Sequence, residues 1–465
     1  MNTKREQESR LCLADAQQEE RGSGMALPPP GSSVHMVGIA GVGMNALAQV
    51  LRARGYRVTG SDRLTDTNLS APVLDALQRQ EIALYTQDGS GVTPETGALV
   101  VSTAIEQDNP DLEAARRRSV PVRHRSEMLS ALIGGEHCIA VAGTSGKTTV
   151  TGMIGWLLSE LGADPHVVNG AAVLNWKSTD CIGNVRMGAS DLWVVEVDES
   201  DRSLLRFFPE HAVITNISRD HFTLEETTAL FELFVQQVER TLICGAGLGS
   251  LFAGRNDLRA VCREAPPACE WTHPLPLPGA HNRENAQLAI TLCEALGYER
   301  EAIVETLSRF KGVERRLERV DEGGDVAVYD DYAHNPAKIR ATWNAVAEQA
   351  ERVIGFWRPH GYGPLSAMME DLCTMFQEVC RPGDRLYIPP VYYEGGTAEK
   401  RVDAEMFVER LKEHRVPATW ISGYDAFLSA VLESGRPGDA VVCMGARDPE
   451  LPQFARRLAA RLASI

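Results

Sequence analysis

Long apolar runs, paired cysteine motifs and an excess of positive charge are all missing from this sequence. No apolar run approaches the roughly 20 residues that a helix needs to cross a bilayer, so we expect no helical membrane span. The ten cysteines include no C-x-x-C pair, and we expect neither a zinc site nor a disulfide framework. The 47 basic and 63 acidic residues disfavour nonspecific binding to nucleic acid or to an anionic membrane.

The first 33 residues lack the apolar core of a signal peptide. They are polar and charged and include the run Pro28-Pro29-Pro30. We therefore expect residues 1–33 to form a flexible tail and the protein to be cytoplasmic. The whole chain of 465 residues is 44% hydrophobic and 24% charged, which is typical of a globular enzyme. At roughly 150 residues per domain, this length suggests about three domains.

Strand-like apolar runs alternate with helical patterns along most of the chain. This alternation is typical of α/β proteins with parallel sheets. The pattern begins again three times, near Val34, His137 and Val326, each time with a strand followed by a glycine-containing or acidic turn. The sequence therefore predicts three α/β domains, which comprise residues 34–134, 135–312 and 313–465.

A glycine-rich turn follows the first strand of the first domain. The segment Gly38-Ile39-Ala40-Gly41-Val42-Gly43-Met44 leads into a helix, whose free N–H groups could hold a phosphate. The next strand ends in Ser61-Asp62, and an acidic residue at this position commonly binds a ribose hydroxyl. The dinucleotide pattern G-x-G-x-x-G needs glycine at position 40, and Ala40 breaks it. A phosphate site and a plain structural turn both remain open.

The second domain begins with a strand, a glycine loop and a helix. The strand ends at Ala142, the loop is Gly143-Thr144-Ser145-Gly146-Lys147-Thr148-Thr149, and Val150 begins a helical pattern. In such loops the backbone N–H groups bind phosphate oxygens, the lysine reaches the outer phosphates, and the following Thr148 can bind Mg²⁺. The first glycine of the full G-x-x-x-x-G-K-[ST] pattern is replaced by Val141. The position of the loop between a strand and a helix still predicts a nucleotide site.

Polar residues follow two further strands of the second domain. The strand from Leu192 carries Glu196 and ends in Asp198-Glu199-Ser200-Asp201, where Mg²⁺ could be held beside the phosphate loop. Another strand ends at Asn216 and is soon followed by His221. The carboxyl ends of parallel strands form the ligand edge of a sheet, so His221 is a candidate ligand. A purely structural role for this histidine is the alternative.

Taken together, these segments resemble the Mur ligases of peptidoglycan synthesis. The resemblance runs from about Val34 to the end of the chain, and it is strongest to the branch that joins L-alanine to UDP-N-acetylmuramate. Further segments that carry it are Ser102-Thr103-Ala104-Ile105 with Asn109-Pro110, Pro278-Gly279-Ala280-His281-Asn282 with Asn285, Gly312-Val313-Glu314-Arg315-Arg316, and Asp330-Asp331-Tyr332-Ala333-His334-Asn335-Pro336.

The resemblance implies a fold and a ligand for each domain. A Rossmann-like N-terminal domain would bind a UDP-sugar through the residues Gly38, Gly41, Gly43, Met44, Ser61 and Asp62. A central P-loop domain would bind ATP through Gly143, Thr144, Ser145, Gly146, Lys147, Thr148 and Thr149, with Asn282 and Asn285 near the adenine. Thr148 and Glu196 would bind Mg²⁺, and His221 would help to hold a second Mg²⁺. A Rossmann-like C-terminal domain would bring Arg315 and Asp331 to the nucleotide, with His334 in the same motif.

The resemblance also implies a reaction. Mur ligases phosphorylate a substrate carboxylate to an acyl phosphate, which an amine then attacks through a tetrahedral intermediate. Negative charge develops in both steps, which explains a lysine, an arginine and metal ions. The expected catalytic residues are Lys147, His221, Arg315 and His334. The partners implied are a UDP-sugar and an amino acid or peptide, with no nucleic acid and no membrane, for a monomer or a homodimer.

The chain departs from the resembled branch in the region expected to hold the acceptor. Ser145 stands where the branch usually has histidine, and Gly361-Tyr362-Gly363 follows His360 without the usual arginine. A ligase that adds a peptide to the same sugar nucleotide, a Mur-like ligase with another acceptor, and an inactive nucleotide-binding paralogue therefore remain alternatives. A Rossmann dehydrogenase is disfavoured, because Ala40 breaks its fingerprint and its chemistry has no use for Lys147.

Overall fold

The computed structural model describes residues 27–66, 72–218, 222–252, 254–255, 257–270, 273–321, 323–393, 400 and 402–464. Most of the predicted tail, residues 1–33, lies outside this described part, and so does His221. The chain divides into two compact units, Met1–Glu136 and His137–Ile465. The predicted boundary at residue 312 lies inside the second unit and stays a prediction.

The first unit is built on a parallel sheet of five strands, which we call the first sheet. Its strands are β1 (Ser33–Val37), β2 (Arg57–Ser61), β3 (Ala83–Tyr85), β4 (Thr96–Val101) and β5 (Val122–His124). Its helices are α1 (Val42–Ala53), α2 (Arg63–Asp66), α3 (Pro72–Arg79), α4 (Pro110–Arg118) and α5 (Arg125–Ile133). The strand order is β3-β2-β1-β4-β5, with every pair parallel. This order reverses between β1 and β4, which is where Rossmann-like sheets bind ligands.

The second unit contains two sheets, of which the middle sheet comes first along the chain. Its strands are β6 (His137–Ala142), β7 (His166–Val168), β8 (Val185–Arg186), β9 (Leu192–Glu196), β10 (His211–Ile214), β11 (Thr241–Cys244) and β12 (Val261–Glu264). Its helices are α6 (Lys147–Glu160), α7 (Leu224–Val235), α8 (Gly249–Phe252), α9 (Ala280–Ala295) and α10 (Arg300–Leu307). The order is β12-β11-β10-β6-β9-β7-β8, and the β7–β8 pair alone is antiparallel. The strand β6 is therefore central and almost wholly buried.

The third sheet completes the second unit. Its strands are β13 (Glu318–Arg319), β14 (Ala327–Asp331), β15 (Arg352–Trp357), β16 (Arg385–Ile388), β17 (Ala418–Trp420) and β18 (Asp439–Met444). Its helices are α11 (Pro336–Ala347), α12 (Tyr362–Val379), α13 (Ala404–Glu413), α14 (Tyr424–Ser434) and α15 (Leu451–Leu462). The order is β13-β14-β18-β15-β16-β17, and the short edge strand β13 alone pairs antiparallel.

Alternating side chains of the third sheet fill two separate cores. Along β15, Val353 and Trp357 pack into one core, whereas Ile354 and Phe356 pack into the other. A strand alternates its side chains between the two faces, so apolar residues at every position require helices on both sides. This arrangement confirms the predicted α/β fold with parallel sheets. In the described part of the chain, no helix is both long and apolar enough to span a membrane.

Candidate active site

The loop between β6 and α6 has a shape that requires glycine at two positions. Gly143 has a φ of +131° and Gly146 a φ of +83°. A Cβ atom at Gly143 would lie 1.9 Å from Thr215 Oγ1, and one at Gly146 would lie 2.6 Å from Asn285 Oδ1. Helix α6 receives no side-chain cap at Gly146. The N-cap residue therefore satisfies none of the first N–H groups of this helix with a side chain, and N–H groups at such a helix start can bind phosphate.

We expect Gly143→Ala to abolish nucleotide binding. The added methyl group would overlap Thr215, and a φ of +131° is strained for any L side chain. Calorimetric titration with a non-hydrolysable ATP analogue measures the effect. Gly162→Ala is a matched control, because Gly162 has a φ of +88° but nothing within 4 Å of its Cβ position. Equal affinity of the Gly143→Ala variant and the wild type would contradict this role of the loop.

Residues after β10 hold the loop in place. Ser145 N donates to Asn216 Oδ1 at 3.1 Å, and Asn216 Nδ2 donates to Ser145 O at 2.9 Å. Thr215 Oγ1 donates to the same carbonyl at 2.6 Å, and Thr144 Oγ1 donates to Asn216 Oδ1 at 2.6 Å. The side chains of Thr144 and Thr149 are buried. The loop is therefore fixed before any nucleotide binds, which lowers the entropic cost of binding.

Lys147 lies over the loop among carboxylates. Its Nζ donates to Gly143 O at 2.8 Å and to Glu199 Oε2 at 2.5 Å, and it lies 3.6 Å from Asp198 Oδ1. Burial opposes the charge on Lys147, but the carboxylates of Glu199, Asp198 and Glu196 outweigh it and raise the pKa of the lysine. Burial also raises the pKa of Glu199, against the pull of Lys147. Lys147 is therefore a fixed positive charge at neutral pH.

Thr148 and Glu196 place oxygen atoms next to the loop. Thr148 Oγ1 donates to Glu196 Oε1 at 3.1 Å, and Glu196 Oε2 accepts from Gly170 N at 2.7 Å. Mg²⁺ usually binds one or two protein oxygens together with phosphate oxygens and water, so this hydroxyl and carboxylate suit it. Among the described residues, no three His, Cys, Asp or Glu side chains form a metal-binding group of their own.

Two buried asparagines on α9 lie behind the loop. Asn285 Oδ1 occupies the space in which a Cβ of Gly146 would lie, so this side chain is close to the loop. Asn285 Nδ2 donates to Asn282 Oδ1 at 3.4 Å, and Asn282 Nδ2 donates to Pro278 O at 2.8 Å. The structure therefore brings Asn282 and Asn285 together at the phosphate loop.

Two consecutive arginines point in different directions. Arg315 has a left-handed backbone, with a φ of +57°. Its guanidinium group donates to Gly445 O and Ala446 O and lies 3.4 Å from Asp330 Oδ2, so it is bound within the third sheet. Arg316 Nη2 instead donates to Thr148 Oγ1 at 3.2 Å. Arg316, for which the sequence predicted no role of its own, is the arginine that reaches the phosphate loop.

Asp331 and His334 lie at the carboxyl end of β14. The buried carboxylate of Asp331 accepts from Leu317 N at 2.6 Å and from Ala333 N at 2.7 Å, so it fixes the chain just after the two arginines. Burial raises the pKa of Asp331, although Arg316 opposes the shift. His334 Nδ1 donates to Tyr332 O at 3.0 Å, and its ring centroid lies 5.6 Å from that of His360.

Tyr332 connects these groups to the loop. Its ring centroid lies 5.2 Å from the guanidinium carbons of both Arg315 and Arg316. The contacts therefore run without a break from Thr148 through Arg316 and Tyr332 to the imidazole of His334. Helix α11 begins just beyond, where Asn335 Oδ1 accepts from Lys338 N at 3.0 Å and Pro336 takes the first helical position.

In the first unit, the predicted ligand residues Ser61 and Asp62 form hydrogen bonds with other residues of the same unit. Ser61 O accepts from Gly38 N at 2.8 Å, and its buried Oγ donates to Asp111 Oδ2 at 2.5 Å. Asp62 Oδ2 accepts from Ala40 N at 2.9 Å, and Oδ1 accepts from Leu64 N at 3.0 Å. These two residues therefore hold the glycine turn in shape.

Arg125 is a residue of the same turn that the sequence did not reveal. A Cβ at Gly43 would lie 2.9 Å from Arg125 Nη1, so the guanidinium group lies directly against the turn. Gly41 caps α1 without a side-chain bond, whereas Met44 is buried on that helix. Arg125 begins α5 straight after β5, and the parallel order of the first sheet places that strand end at the same edge as the turn.

Family models and relatives of known name cover almost the whole chain. The models match residues 33–137 (Mur ligase family, catalytic domain), 141–235 (Mur ligase middle domain) and 315–447 (Mur ligase, glutamate ligase domain). The UDP-N-acetylmuramate–L-alanine ligase of Rhizobium meliloti (strain 1021) is 33% identical over 95% of this chain and 99% of its own length. The same-named protein of Synechococcus sp. (strain JA-2-3B'a(2-13)) is 34% identical over 91% of each chain.

Solved structures share the fold. The UDP-N-acetylmuramate-alanine ligase of Thermotoga maritima superposes with a TM-score of 0.73 at 23% identity and covers 93% of this chain and 99% of its own. A murein peptide ligase from Psychrobacter arcticus 273-4 gives a TM-score of 0.64 at 21% identity, over 94% of this chain and 99% of its own. The three family models and the relatives above show that the chain belongs to the Mur ligase family, whose members are ATP-dependent ligases.

Proposed function

We propose that this chain joins L-alanine to the carboxylate of UDP-N-acetylmuramate at the expense of ATP, in peptidoglycan synthesis. The observation that carries the proposal is the convergence of Lys147, Thr148, Glu196 and Arg316 on one glycine loop. The names of the relatives, at about 33% identity over nearly the full length, support the substrate pair. The cytoplasmic location and the monomeric or dimeric state stay predictions.

ATP would lie along the loop from residue 143 to residue 149. The N–H groups at the start of α6 would bind its phosphates, and Lys147 would exchange the carboxylates of Glu199 and Asp198 for the outer phosphates. Asn282 and Asn285 would lie near the adenine. Thr148 and Glu196 would hold Mg²⁺, which neutralises phosphate charge when bound.

The reaction would proceed in two displacements. A carboxylate oxygen of the sugar nucleotide attacks the terminal phosphorus of ATP, and ADP leaves, which gives an acyl phosphate. The amine then attacks the acyl carbon, phosphate leaves, and the nitrogen loses a proton. Lys147 and Arg316 would stabilise the charge on the transferred phosphoryl group, because both are fixed beside the loop before reaction. The imidazole of His334, two residues beyond Tyr332, would accept the proton.

A ligase that adds a larger acceptor to the same sugar nucleotide is the second candidate. The observation that favours it is the open space at the start of α12. Nothing lies within 4 Å of the Cβ position of Gly363, in the first turn of that helix. Release of inorganic phosphate from ATP, measured with UDP-N-acetylmuramate and either L-alanine or a peptide that begins with L-alanine, separates the two. A higher kcat/KM with the peptide would replace our first proposal with this one.

We expect the first unit to bind UDP-N-acetylmuramate and not NAD. Ala40 interrupts the dinucleotide pattern, and Arg125 offers a charge for a pyrophosphate at Gly43. Arg125→Ala should weaken UDP-N-acetylmuramate binding by about tenfold or more, since a hydrogen bond to a charged group contributes about 1.5–3 kcal/mol. Calorimetry measures both ligands, and Arg118→Ala on the exposed end of α4 is the control. Tight binding of NAD without binding of the sugar nucleotide would contradict this expectation.

A further inference from the structure

A cavity is lined by residues of both the middle and the third sheet regions. Its volume is about 430 Å³, which is in the range of small-molecule sites. One wall is apolar and consists of the segment from Leu275 to Pro278 together with Leu317 and Tyr329. The residues that line it include none from the loop between β6 and α6 and neither of the asparagines Asn282 and Asn285.

The polar part of this cavity is basic. Arg283, Lys311, Arg319 and His273 line it, and no acidic residue is found among the described residues that do so. Arg283 lies 3.5 Å from Glu348, and Arg319 is paired with Asp321. Carboxylates that do not line the cavity therefore partly neutralise these two arginines. Lys311 has no carboxylate within ion-pair distance in the described part of the chain. It is therefore the cation best able to bind an anion that enters the cavity.

The cavity shares two walls with the proposed nucleotide site. Pro278 lines the cavity, and its carbonyl accepts from Asn282. Leu317 also lines it, and its N–H donates to Asp331. Gly312 lies near both; its φ is +98°, and a Cβ atom there would lie 2.9 Å from Leu277 Cδ2, so a side chain would not fit. A molecule in the cavity would therefore contact Pro278 and Leu317, which bind residues of the proposed nucleotide site.

We propose that this cavity binds a phosphorylated aromatic molecule of about mononucleotide size and that its occupancy changes the affinity for ATP. The phosphate would bind Lys311, with Arg283 and Arg319 on either side. The ring would pack on Leu275, Pro276 and Pro278, which are at least partly exposed. The coupling passes through Pro278 and Leu317 and is reciprocal, because each ligand must change the affinity for the other by the same factor.

Pyridoxal 5′-phosphate tests the site, since it has a ring, a phosphate and an aldehyde. The aldehyde condenses with a lysine amine to an imine and releases water, and added borohydride supplies the hydride that reduces the imine to a stable amine. Peptide mapping then reads the adduct at each of the seven lysines of the full chain. We expect Lys311 to be labelled at least tenfold more by pyridoxal 5′-phosphate than by pyridoxal, which lacks the phosphate. Lys412, on the surface of α13, is the control lysine.

A substitution and an affinity measurement complete the test. Arg319→Gln should lower labelling of Lys311 severalfold and leave that of Lys412 unchanged. Labelled wild-type protein should differ from an equally labelled Lys311→Ala variant, in which any adduct at Lys147 is the same, in its affinity for a non-hydrolysable ATP analogue by about fivefold or more. Equal labelling by the two probes, or labelling insensitive to Arg319→Gln, would overturn the site. Unchanged affinity would overturn the coupling. Neither readout needs turnover, so the outcome is independent of the proposed ligase activity.

Discussion

Replacing Lys147 by alanine is expected to lower ATP turnover by about 10³-fold, which corresponds to about 4 kcal/mol in the barrier. The lysine is held by Gly143 and Glu199 at the point where the loop meets α6. Its charge is thus in place before the phosphoryl group moves, and water cannot substitute for it. The fold should survive, because burial already raises the pKa of Glu199 and lets this carboxyl take up a proton when its partner is removed.

Phosphate release at saturating substrates measures this effect, and circular dichroism checks the fold. Lys412→Ala removes a lysine of the same kind from an exposed ion pair with Glu409, so its turnover should equal that of the wild type. A folded Lys147→Ala enzyme with normal turnover would remove the loop from the mechanism.

Arg316→Ala should mainly lower catalytic turnover and Arg315→Ala should mainly lower stability, although the two residues are neighbours. Arg316→Ala should lower kcat by about 10²–10³-fold with little change in stability, because it removes a charge beside Thr148. Arg315→Ala should lower the free energy of unfolding by roughly 3–5 kcal/mol, because it leaves the buried Asp330 without its cation. Denaturant unfolding measures the stability of both variants, and phosphate release measures their turnover. Greater loss of turnover than of stability in Arg315→Ala would reverse our assignment.

The stability loss of Arg315→Ala should also depend on pH. Burial raises the pKa of Asp330 from 3.8 to about 7, although Arg315 opposes the shift. The folded state therefore binds this proton more tightly than the unfolded state, and stability falls as the pH rises from about 4 to about 7. Without Arg315 the ionised form of Asp330 is still less favourable in the folded state. The stability lost in Arg315→Ala should therefore be greater at pH 8 than at pH 6. Unfolding curves at these two pH values test the sign.

The sequence predicts the fold and the phosphate loop because both depend on local patterns. Runs of apolar residues with turns between them specify parallel strands, and the spacing Gly143–Gly146–Lys147 can be recognised without any distant residue. Arg315 and Arg316 instead point in different directions on a backbone that is left-handed at Arg315 and again at Leu317, which a motif does not encode. The roles of His221 and the other site residues stay predictions.

Contacts between distant segments could not be predicted from the sequence either, because local patterns do not encode them. Ser61 binds Asp111, which is 50 residues away, because α4 packs its first turn under the end of β2. Arg125 reaches Gly43 only because β5 and β1 end at the same edge of the first sheet. Such pairs follow from strand order, and strand order is a property of the assembled sheet.

Each of the five strands of the first sheet pairs with another strand of the same sheet. This pairing within one sheet has a consequence for how the protein unfolds. The unit that ends at Glu136 contains its own core and every backbone partner of those strands, which are the attributes of an independent cooperative unit. Heating should then melt the protein in two steps. A cavity made beneath α1, for example by Leu47→Ala, would shift one melting step and leave the step of the ATP-binding part where it was.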